Sequence, residues 1–423
     1  MTSLETTPLI SIQYRAAAFA LVGISLLVAF SLYEGGIALA ALAFAGIIAG
    51  LSLLQASFGF TASWRSLVRD GKTHGLRVQL IMFAIVGVIV LPLIAFGGGA
   101  YRGALAPFGV AVMLGALVFG VGMQIAGACA SGSMYAAGSG SLKSVVTIIG
   151  FIIGVTAAVA SFETWSVWPV IPTISLTHTL GGYGAVAAHL GLTVLALLVA
   201  YAYEFFRTGR VDGLLSDKTD KTRIYTRWPL VWGAIGLGAA AVLIMLLSGR
   251  PWALISAYAL WGSKVAALIG ADVGFWGHWA ANPDILEKSI FADVASVIDL
   301  GVIGGAMLAA AMTGRFVFRG YWPLKGLLLA LIGGIIMGFG ARLSVGCNIG
   351  AFFSGIVSGS MHGWVWGIFA LAGTAIALGL QAFGLRIAKL VTGNAGLNVS
   401  TRGKAISAPA TASTVTTPPA ATA

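Results

Sequence analysis

Two stretches of this sequence align without a gap, and they decide the fold. The first, Gly115–Tyr135, reads GALVFGVGMQIAGACASGSMY, and the second, Gly333–Phe353, reads GGIIMGFGARLSVGCNIGAFF. Cys129 falls on Cys347, and these are the only cysteines of the chain. The alignment also places glycine on glycine at several positions: Gly120 on Gly338, Gly122 on Gly340, and Gly132 on Gly350. We therefore predict an internal repeat with one cysteine in each half.

Each stretch is a hydrophobic segment that runs into a glycine-rich break. Non-helical backbone at membrane depth is tolerated only where it is buried in protein or lines a wet cavity. A broken helix also leaves free N–H groups and a positive dipole end. Two such breaks entering from opposite sides predict an anion site with a soft thiol at each break. The candidate site residues are Cys129, Cys347, Gly127, Gly132, Gly346, Gly350, Asn348, Arg342 and Arg65.

The composition outside these stretches is that of an integral membrane protein. Hydrophobic residues make up 58% of the 423 residues and charged residues only 9%, whereas soluble proteins carry about 25% charged residues. We predict an all-α polytopic membrane protein with about ten spanning helices plus re-entrant or broken helices. The predicted spans are Ala16–Leu32, Ile37–Leu54, Gln79–Phe96, Phe108–Ala126, Val145–Phe162, Ala185–Phe206, Val231–Leu247, Asp293–Met312, Gly326–Leu343 and Trp364–Phe383.

One further apolar stretch, Trp252–Ile269, turns polar after Leu260, and we predict that it re-enters the membrane without crossing it. Residues 1–390 are expected to form a single membrane transport domain, with repeat halves at about 37–206 and 250–390. Residues 391–423 are rich in Ala, Thr, Ser and Pro and are predicted to be a disordered C-terminal tail.

The net charge of +11 is interpreted through membrane topology. The loops Trp64–Arg77 and Arg207–Arg227 are rich in Lys and Arg, which predicts that both are cytoplasmic. Arg386 and Lys389 place the C-terminus on the same side. Together with a non-crossing Trp252–Ile269, this makes the repeat inverted. The basic residues are scattered among the spans, so nucleic-acid binding is not expected.

The tract GFGARLSVGCNIGAFFSG, followed by His362-Gly363-Trp364, resembles the signature of the YeeE/YedE sulfur-transport family, and so does GACASGSMY. The resemblance runs from about Gln55 to Phe383. It implies a bacterial inner-membrane importer of thiosulfate or a related sulfur or selenium species, which passes the ion along a cysteine relay. It also implies that a cytoplasmic TusA-like sulfur-carrier protein is a partner of some members.

The sequence departs from the family pattern at one position. FGFTASWR resembles the family's first turn, where a cysteine usually stands second, but here Gly59 occupies that position. Two relay positions are therefore matched, by Cys129 and Cys347, and a third is not. A transported species other than thiosulfate stays open.

Two arginines have alternative interpretations. Arg342 lies inside a span, where a charge is costly, so it either contacts the anion or serves helix packing or carbonyl bonding. Asp293 and Asp299 either pair with a cation such as Arg342 or lie at the membrane interface. Arg65 either attracts the anion or is a topology charge. No histidine pair has metal-ligand spacing and no nucleotide or haem motif occurs, so neither metal nor cofactor is expected.

Three functions remain open from the residues alone. The first is transport of a sulfur-containing anion, the second is a membrane thiol–disulfide enzyme, and the third is a channel for another small anion. An enzyme is not favoured, because thiol–disulfide exchange usually needs an attacking and a resolving cysteine and each break has only one.

Overall fold

The computed structural model describes residues 12–214, 227–318 and 323–391, with side chains to residue 383. This part is mainly helical, and its one sheet is an antiparallel pair of short strands, β1 (Phe108–Gly109) and β2 (Val170–Ile171). Two compact units divide the chain, Met1–Gly379 and Leu380–Ala423, and both cysteine breaks lie in the first. Residues 392–423 of the predicted tail lie outside the described ranges.

The helices follow the predicted spans closely. In chain order they are α1 (Tyr14–Ala56), α2 (Phe60–Asp70), α3 (His74–Phe96), α4 (Val110–Ala126), α5 (Ala130–Gly138), α6 (Leu142–Ala160), α7 (Phe162–Ser166), α8 (Leu176–Thr208), α9 (Leu230–Ser248), α10 (Leu254–Leu268), α11 (Gly277–Ala280), α12 (Pro283–Glu287), α13 (Val294–Met312), α14 (Leu324–Leu343), α15 (Ser354–Val357) and α16 (Met361–Val391). A π-helical turn, Asn348–Phe353, precedes α15.

The described residues contain nine helical runs long and apolar enough to cross a membrane, where the sequence predicted ten. The difference lies in α1, whose 43 residues contain both of the first two predicted spans. A straight helix of that length would measure about 65 Å, twice the thickness of a hydrocarbon core. The helix is interrupted at Gly36, where φ is 67° and ψ is −162°, a conformation open mainly to glycine. The all-α polytopic prediction is therefore confirmed.

The two repeat-related helices α4 and α14 pack antiparallel. A Cβ atom on Gly115 would meet the backbone of Gly340 and Ser344, whereas one on Gly122 would meet Met337 and Gly333. Moving forward along α4 therefore means moving backward along α14. Because the two helices are equivalent in the repeat, the halves that contain them run in opposite directions, as predicted for an inverted repeat.

Glycines let the helices of the two halves touch through their backbones. A Cβ on Gly338 of α14 would lie 2.1 Å from the carbonyl oxygen of Phe151 in α6. The equivalent Gly120 of α4 faces the carbonyl oxygen of Ala370 in α16 at the same 2.1 Å. Membrane helices gain little from hydrophobic burial against one another, so such close contacts supply much of their association energy.

The helix ends define a basic end of the bundle, where α1, α4 and α13 finish and α6, α9 and α14 begin. The N–H of Trp228 donates to the carbonyl of Gln55, and the N–H of Val317 to that of Ser139. Arg65, Arg69, Lys143, Arg207 and Arg315 lie near this end. Placing the basic end in the cytoplasm remains a prediction.

Helix α10, within the predicted re-entrant stretch, starts and finishes at the other end of the bundle. Just before it, the carbonyl of Gly249 accepts a hydrogen bond from the backbone N–H of Arg102, in the loop between α3 and α4. Just after it, Gly277 lies beside Glu163, which follows α6. The helix has only 15 residues, and its two flanks reach the same side, which agrees with a segment that does not cross.

Replacing Gly338 by alanine should destabilise the protein, because the new methyl group would collide with the backbone of α6. We expect a loss of about 1–3 kcal/mol, the usual cost of overpacking. Thermal unfolding of the detergent-solubilised protein, followed by size-exclusion chromatography, measures it.

The matched control is Gly191→Ala in α8, where nothing lies within 4 Å of the added atom. That variant should keep the wild-type unfolding temperature. Equal stability of the two variants would contradict the described packing of α14 on α6.

Candidate functional site

The break after α4 is built around Cys129. Helix α4 ends at Gly127, whose φ of 85° requires glycine or a strained residue. Cys129 then occupies the N-cap of α5, and its sulfur accepts a hydrogen bond from the N–H of Gly132 at 3.3 Å. The hydroxyl of Ser131 lies 3.5 Å from the same sulfur. The thiol thus replaces the oxygen of an ordinary N-cap and satisfies a backbone donor at membrane depth.

The break after α14 has the same position but a different backbone. Val345 stands where the first half has Gly127, and it adopts a left-handed conformation with φ of 62°. Gly346 follows, and a Cβ there would lie 2.4 Å from the backbone nitrogen of Ala351. The chain then enters the π-helical turn, a geometry frequent at functional sites. Tight packing explains Gly346, whereas Val345 carries strain that the first half avoids.

Cys347 begins this turn and is buried. The N–H groups of Ile349 and Gly350 face its sulfur. A Cβ on Gly350 would meet nothing within 4 Å, so there is open space beside a residue whose N–H faces the thiol. Both amide atoms of the adjacent Asn348 are buried and have no hydrogen-bond partner in the described residues. Buried amides without partners are uncommon, so the Asn348 side chain still has both a donor and an acceptor to offer.

The two thiols share one buried region. Cys129 and Cys347 are each 1% exposed and belong to the same cluster of buried side chains. Both are free, and they lie close enough to influence one another electrostatically. The repeat thus brings together the two cysteines that the sequence singled out.

Basic side chains lie near the break that holds Cys129. The Nε–H of Arg65 donates to Gln124 Oε1 at 3.0 Å. The ammonium of Lys143 lies 3.0 Å from the point where a Cβ on Gly127 would stand, and it interacts electrostatically with Arg65. Arg69 adds a third positive charge near Arg65. Several cations concentrated near one break attract anions.

Arg342 lies in the last turn of α14, just before the break that holds Cys347, and its hydrogen-bond partner is a histidine. Its Nη2 lies 2.7 Å from His278 Nδ1, and its Nε is buried without a partner among the residues that the structure describes. Burial, together with the charge of Arg342, lowers the pKa of His278 to about 4. The imidazole is therefore neutral near pH 7 and can accept the hydrogen bond. Asp293 and Asp299 do not pair with Arg342.

Gly59 lies on the Cys129 side of the site. Its φ of −145° and ψ of 133° are extended backbone that any residue can adopt. A Cβ there would lie 3.5 Å from the hydroxyl of Tyr135, and Tyr135 interacts electrostatically with Cys129. The position where the family carries a cysteine is therefore close to the first thiol, and its backbone does not require glycine.

A second pair of repeated positions escaped the sequence analysis. Gly59-Phe60 with Trp64 recurs as Gly274-Phe275 with Trp279, in the spacing G-F-x-x-x-W. In both halves this motif precedes a long helix, α3 in the first and α13 in the second, although the connection is longer in the second half. Their N-caps are Thr73 and Asp293.

Counting six residues from each N-cap gives Gln79 and Asp299. Both side chains are fully buried. Neither amide atom of Gln79 has a partner in the described residues, nor does Oδ2 of Asp299. Among those residues, no group of three or more His, Cys, Asp or Glu side chains could hold a metal ion.

The strain at Val345 can be tested by exchanging the residues of the two breaks. Val345→Gly should stabilise the protein by about 1 kcal/mol, because a β-branched residue in the left-handed region costs about 1–3 kcal/mol and glycine loses part of that gain in chain entropy. Gly127→Val should destabilise it. Thermal unfolding in detergent compares them, and a less stable Val345→Gly variant would contradict the described turn.

Comparison with known proteins gives relatives of one kind. The chain is 32% identical over 147 residues to "Probable transporter YedE" of Escherichia coli, a match that covers 35% of this chain and 36% of the relative. The match thus spans about a third of that relative. The chain is 28% identical over 271 residues to "Thiosulfate transporter TsuA" of Spirochaeta thermophila, covering 62% of this chain and 74% of the relative.

A longer match joins the chain to "Thiosulfate transporter TsuA" of Escherichia coli, with 24% identity over 348 residues, 78% of this chain and 90% of the relative. The family model described as sulphur transport matches residues 55–376, which include both cysteine breaks and the G-F-x-x-x-W motifs. The chain therefore belongs to the sulphur transport family of membrane proteins.

Proposed function

We propose that this chain imports a sulfur-containing anion, thiosulfate or a close chemical relative, across the bacterial inner membrane. The observation that carries the proposal is the pair of buried free thiols, Cys129 and Cys347, at equivalent breaks of two antiparallel helices. Family membership and the two relatives named as thiosulfate transporters support the choice of substrate.

The chemistry of the two breaks suits a soft anion. Each thiol is a weak hydrogen-bond donor with a polarizable sulfur, so it interacts with the terminal sulfur of thiosulfate without binding it tightly. The amide of Asn348 and the open space at Gly350 provide a polar contact and room beside the second thiol. Weak contacts at successive positions are what conduction requires, because the ion must leave each position as well as enter it.

Positive charge near both breaks supports anion entry and exit. Arg342 and its neutral partner His278 lie near the Cys347 break, and Arg65 and Lys143 lie near the Cys129 break. The basic end, which holds Arg65, is taken as cytoplasmic by the positive-inside rule. Import then runs from Cys347 toward Cys129, with membrane lipid around the bundle, and a cytoplasmic TusA-like carrier would meet the anion at the basic end.

Replacing either cysteine by alanine should abolish uptake of radiolabelled thiosulfate by cells that lack their own importers. Cys129→Ser and Cys347→Ser are sharper variants, because serine retains an N-cap oxygen but removes the soft sulfur. We expect serine to lower the uptake rate by at least about tenfold, equivalent to about 1.4 kcal/mol.

Membrane expression of each variant is the control for folding. Near wild-type uptake by an alanine variant would contradict the cysteine pathway. Trapping free thiols during turnover separates transport from thiol–disulfide chemistry: the proposal expects both thiols reduced, whereas a Cys129–Cys347 disulfide would favour an enzyme.

Gly59→Cys should raise thiosulfate uptake, because it adds a third thiol near Tyr135 and Cys129. The variant should fold, since the backbone at Gly59 is extended and the nearest atom to the new Cβ is 3.5 Å away. Uptake at equal expression, with sulfite and selenite as competitors, measures the effect.

Gly59→Ser is the matched control, because it adds a side chain of similar size without sulfur. Equal uptake by the serine and cysteine variants would show that size and not sulfur matters. A wild-type rate as fast as that of Gly59→Cys would remove position 59 from the pathway.

A further inference from the structure

Asp299 of α13 is a carboxyl group buried in the middle of the helix bundle. Its side chain is 0% exposed. Oδ1 accepts a hydrogen bond from the indole N–H of Trp252 at 2.8 Å, and Oδ2 is buried without a partner in the described residues. A single neutral donor does not compensate a negative charge in such a place.

A second buried carboxyl group shows what compensation looks like in this protein. Glu204 is 1% exposed, but it accepts from Arg77 at 3.1 Å, from the Thr73 N–H at 3.0 Å and from the Asp212 N–H at 3.1 Å. The ion pairs within the described residues are Arg77–Glu204 and Lys72–Asp212, so Asp299 has no basic counter-ion there. Glu204 is built to stay charged, and Asp299 is built to hold a proton.

The surroundings of Asp299 belong to the anion pathway. Cys347 lies close enough to interact with it electrostatically. Tyr258 of α10 does so too, and its hydroxyl is buried without a partner in the described residues. Asp293 is the further charged group that faces it, and that carboxylate caps α13 by accepting from the Ser296 N–H at 2.8 Å.

The repeat makes Asp299 stand out from its counterpart. The equivalent position in the first half holds Gln79, a side chain of similar polarity that binds no proton near neutral pH. Both are fully buried. The two halves thus provide matching polar positions, and only the Cys347 half makes its position protonatable.

We propose that Asp299 binds one proton for each anion that occupies the Cys347 break, so that transport is coupled to proton movement. The idea rests on the proposed function and adds the coupling ion. An O–H bond forms at the carboxylate when a proton arrives from the Cys347 side, and no electrons are transferred. Two negative charges in one low-dielectric site repel strongly, so the anion and the proton enter together. The same O–H bond breaks once the anion has moved on toward Cys129, and the proton leaves toward the basic end.

Purified protein in liposomes tests this coupling, with radiolabelled thiosulfate as the probe and the membrane potential clamped by valinomycin and potassium. An inward proton gradient of about one pH unit should raise thiosulfate accumulation by up to about tenfold for one coupled proton. A thiosulfate gradient should, in turn, acidify the lumen, as measured with a trapped pH dye.

Asp299→Asn should lose both responses while retaining thiosulfate exchange at equal pH on the two sides. Asp293→Asn is the matched control in the same helix, since asparagine also caps helices, and it should respond like wild type. Asp299→Glu keeps a carboxyl group, so it should keep proton coupling, with a shifted midpoint in the pH dependence of thiosulfate uptake.

Each outcome decides something specific. Wild-type accumulation that ignores the pH gradient, or an Asp299→Asn protein that still acidifies the lumen, would overturn the coupling role. If Asp299→Asn fails to fold, the Asp299→Glu variant tests the proposal instead. An unchanged midpoint in the pH dependence of its thiosulfate uptake would overturn the coupling role. Absence of thiosulfate uptake by wild type under every gradient would instead overturn the proposed function itself.

Discussion

Every backbone N–H and C=O at membrane depth needs a partner, and the two helix breaks of this protein can exist only where that need is met. At the first break, the Cys129 sulfur accepts the Gly132 N–H. At the second, the Ser344 hydroxyl donates to the Gly340 carbonyl at 2.7 Å and accepts from the Trp366 indole at 2.9 Å. Such partners are available only in protein surroundings, so both breaks are buried between helices. The glycine contacts that let α4, α6, α14 and α16 approach one another provide those surroundings.

Aromatic rings fill the centre where the halves meet. Phe352, on the π-helical turn of the second half, packs against Trp64 and Phe83 of the first half, with ring centroids 5.5 and 5.1 Å away. Its ring is also stacked on Trp366 at 6.1 Å. A ring cluster at this position ties the Cys347 break to α2 and α3. Trp366 extends it to Phe119 of α4, the helix that leads to the Cys129 break, with ring centroids 5.1 Å apart. Such packing fits a route in which an ion moves between fixed thiols.

The inverted repeat supplies two equivalent backbones, and the side chains make them chemically different. Gln124 binds Arg65 in one half, whereas the equivalent Arg342 binds His278 in the other. The helices before these, α3 and α13, each contain a buried polar side chain, which is Gln79 in one half and Asp299 in the other. A symmetric scaffold has no preferred direction of its own, so any chemical difference between the two sides of the bundle comes from side chains such as these.

The sequence by itself determined the membrane class, nearly all the membrane-spanning helices, and the paired cysteines. Apolar length and a gap-free repeat are local properties that need no knowledge of packing, and the family signature lies in the same tracts. Only the tertiary structure decided that Arg342 meets His278 and not an aspartate, that the Gly59 backbone is extended, and that Asp299 lies beside Cys347. These depend on which helices are neighbours and on how the chain turns between them. Burial and partners come from the packing of distant segments, and the order of residues along one segment does not specify them.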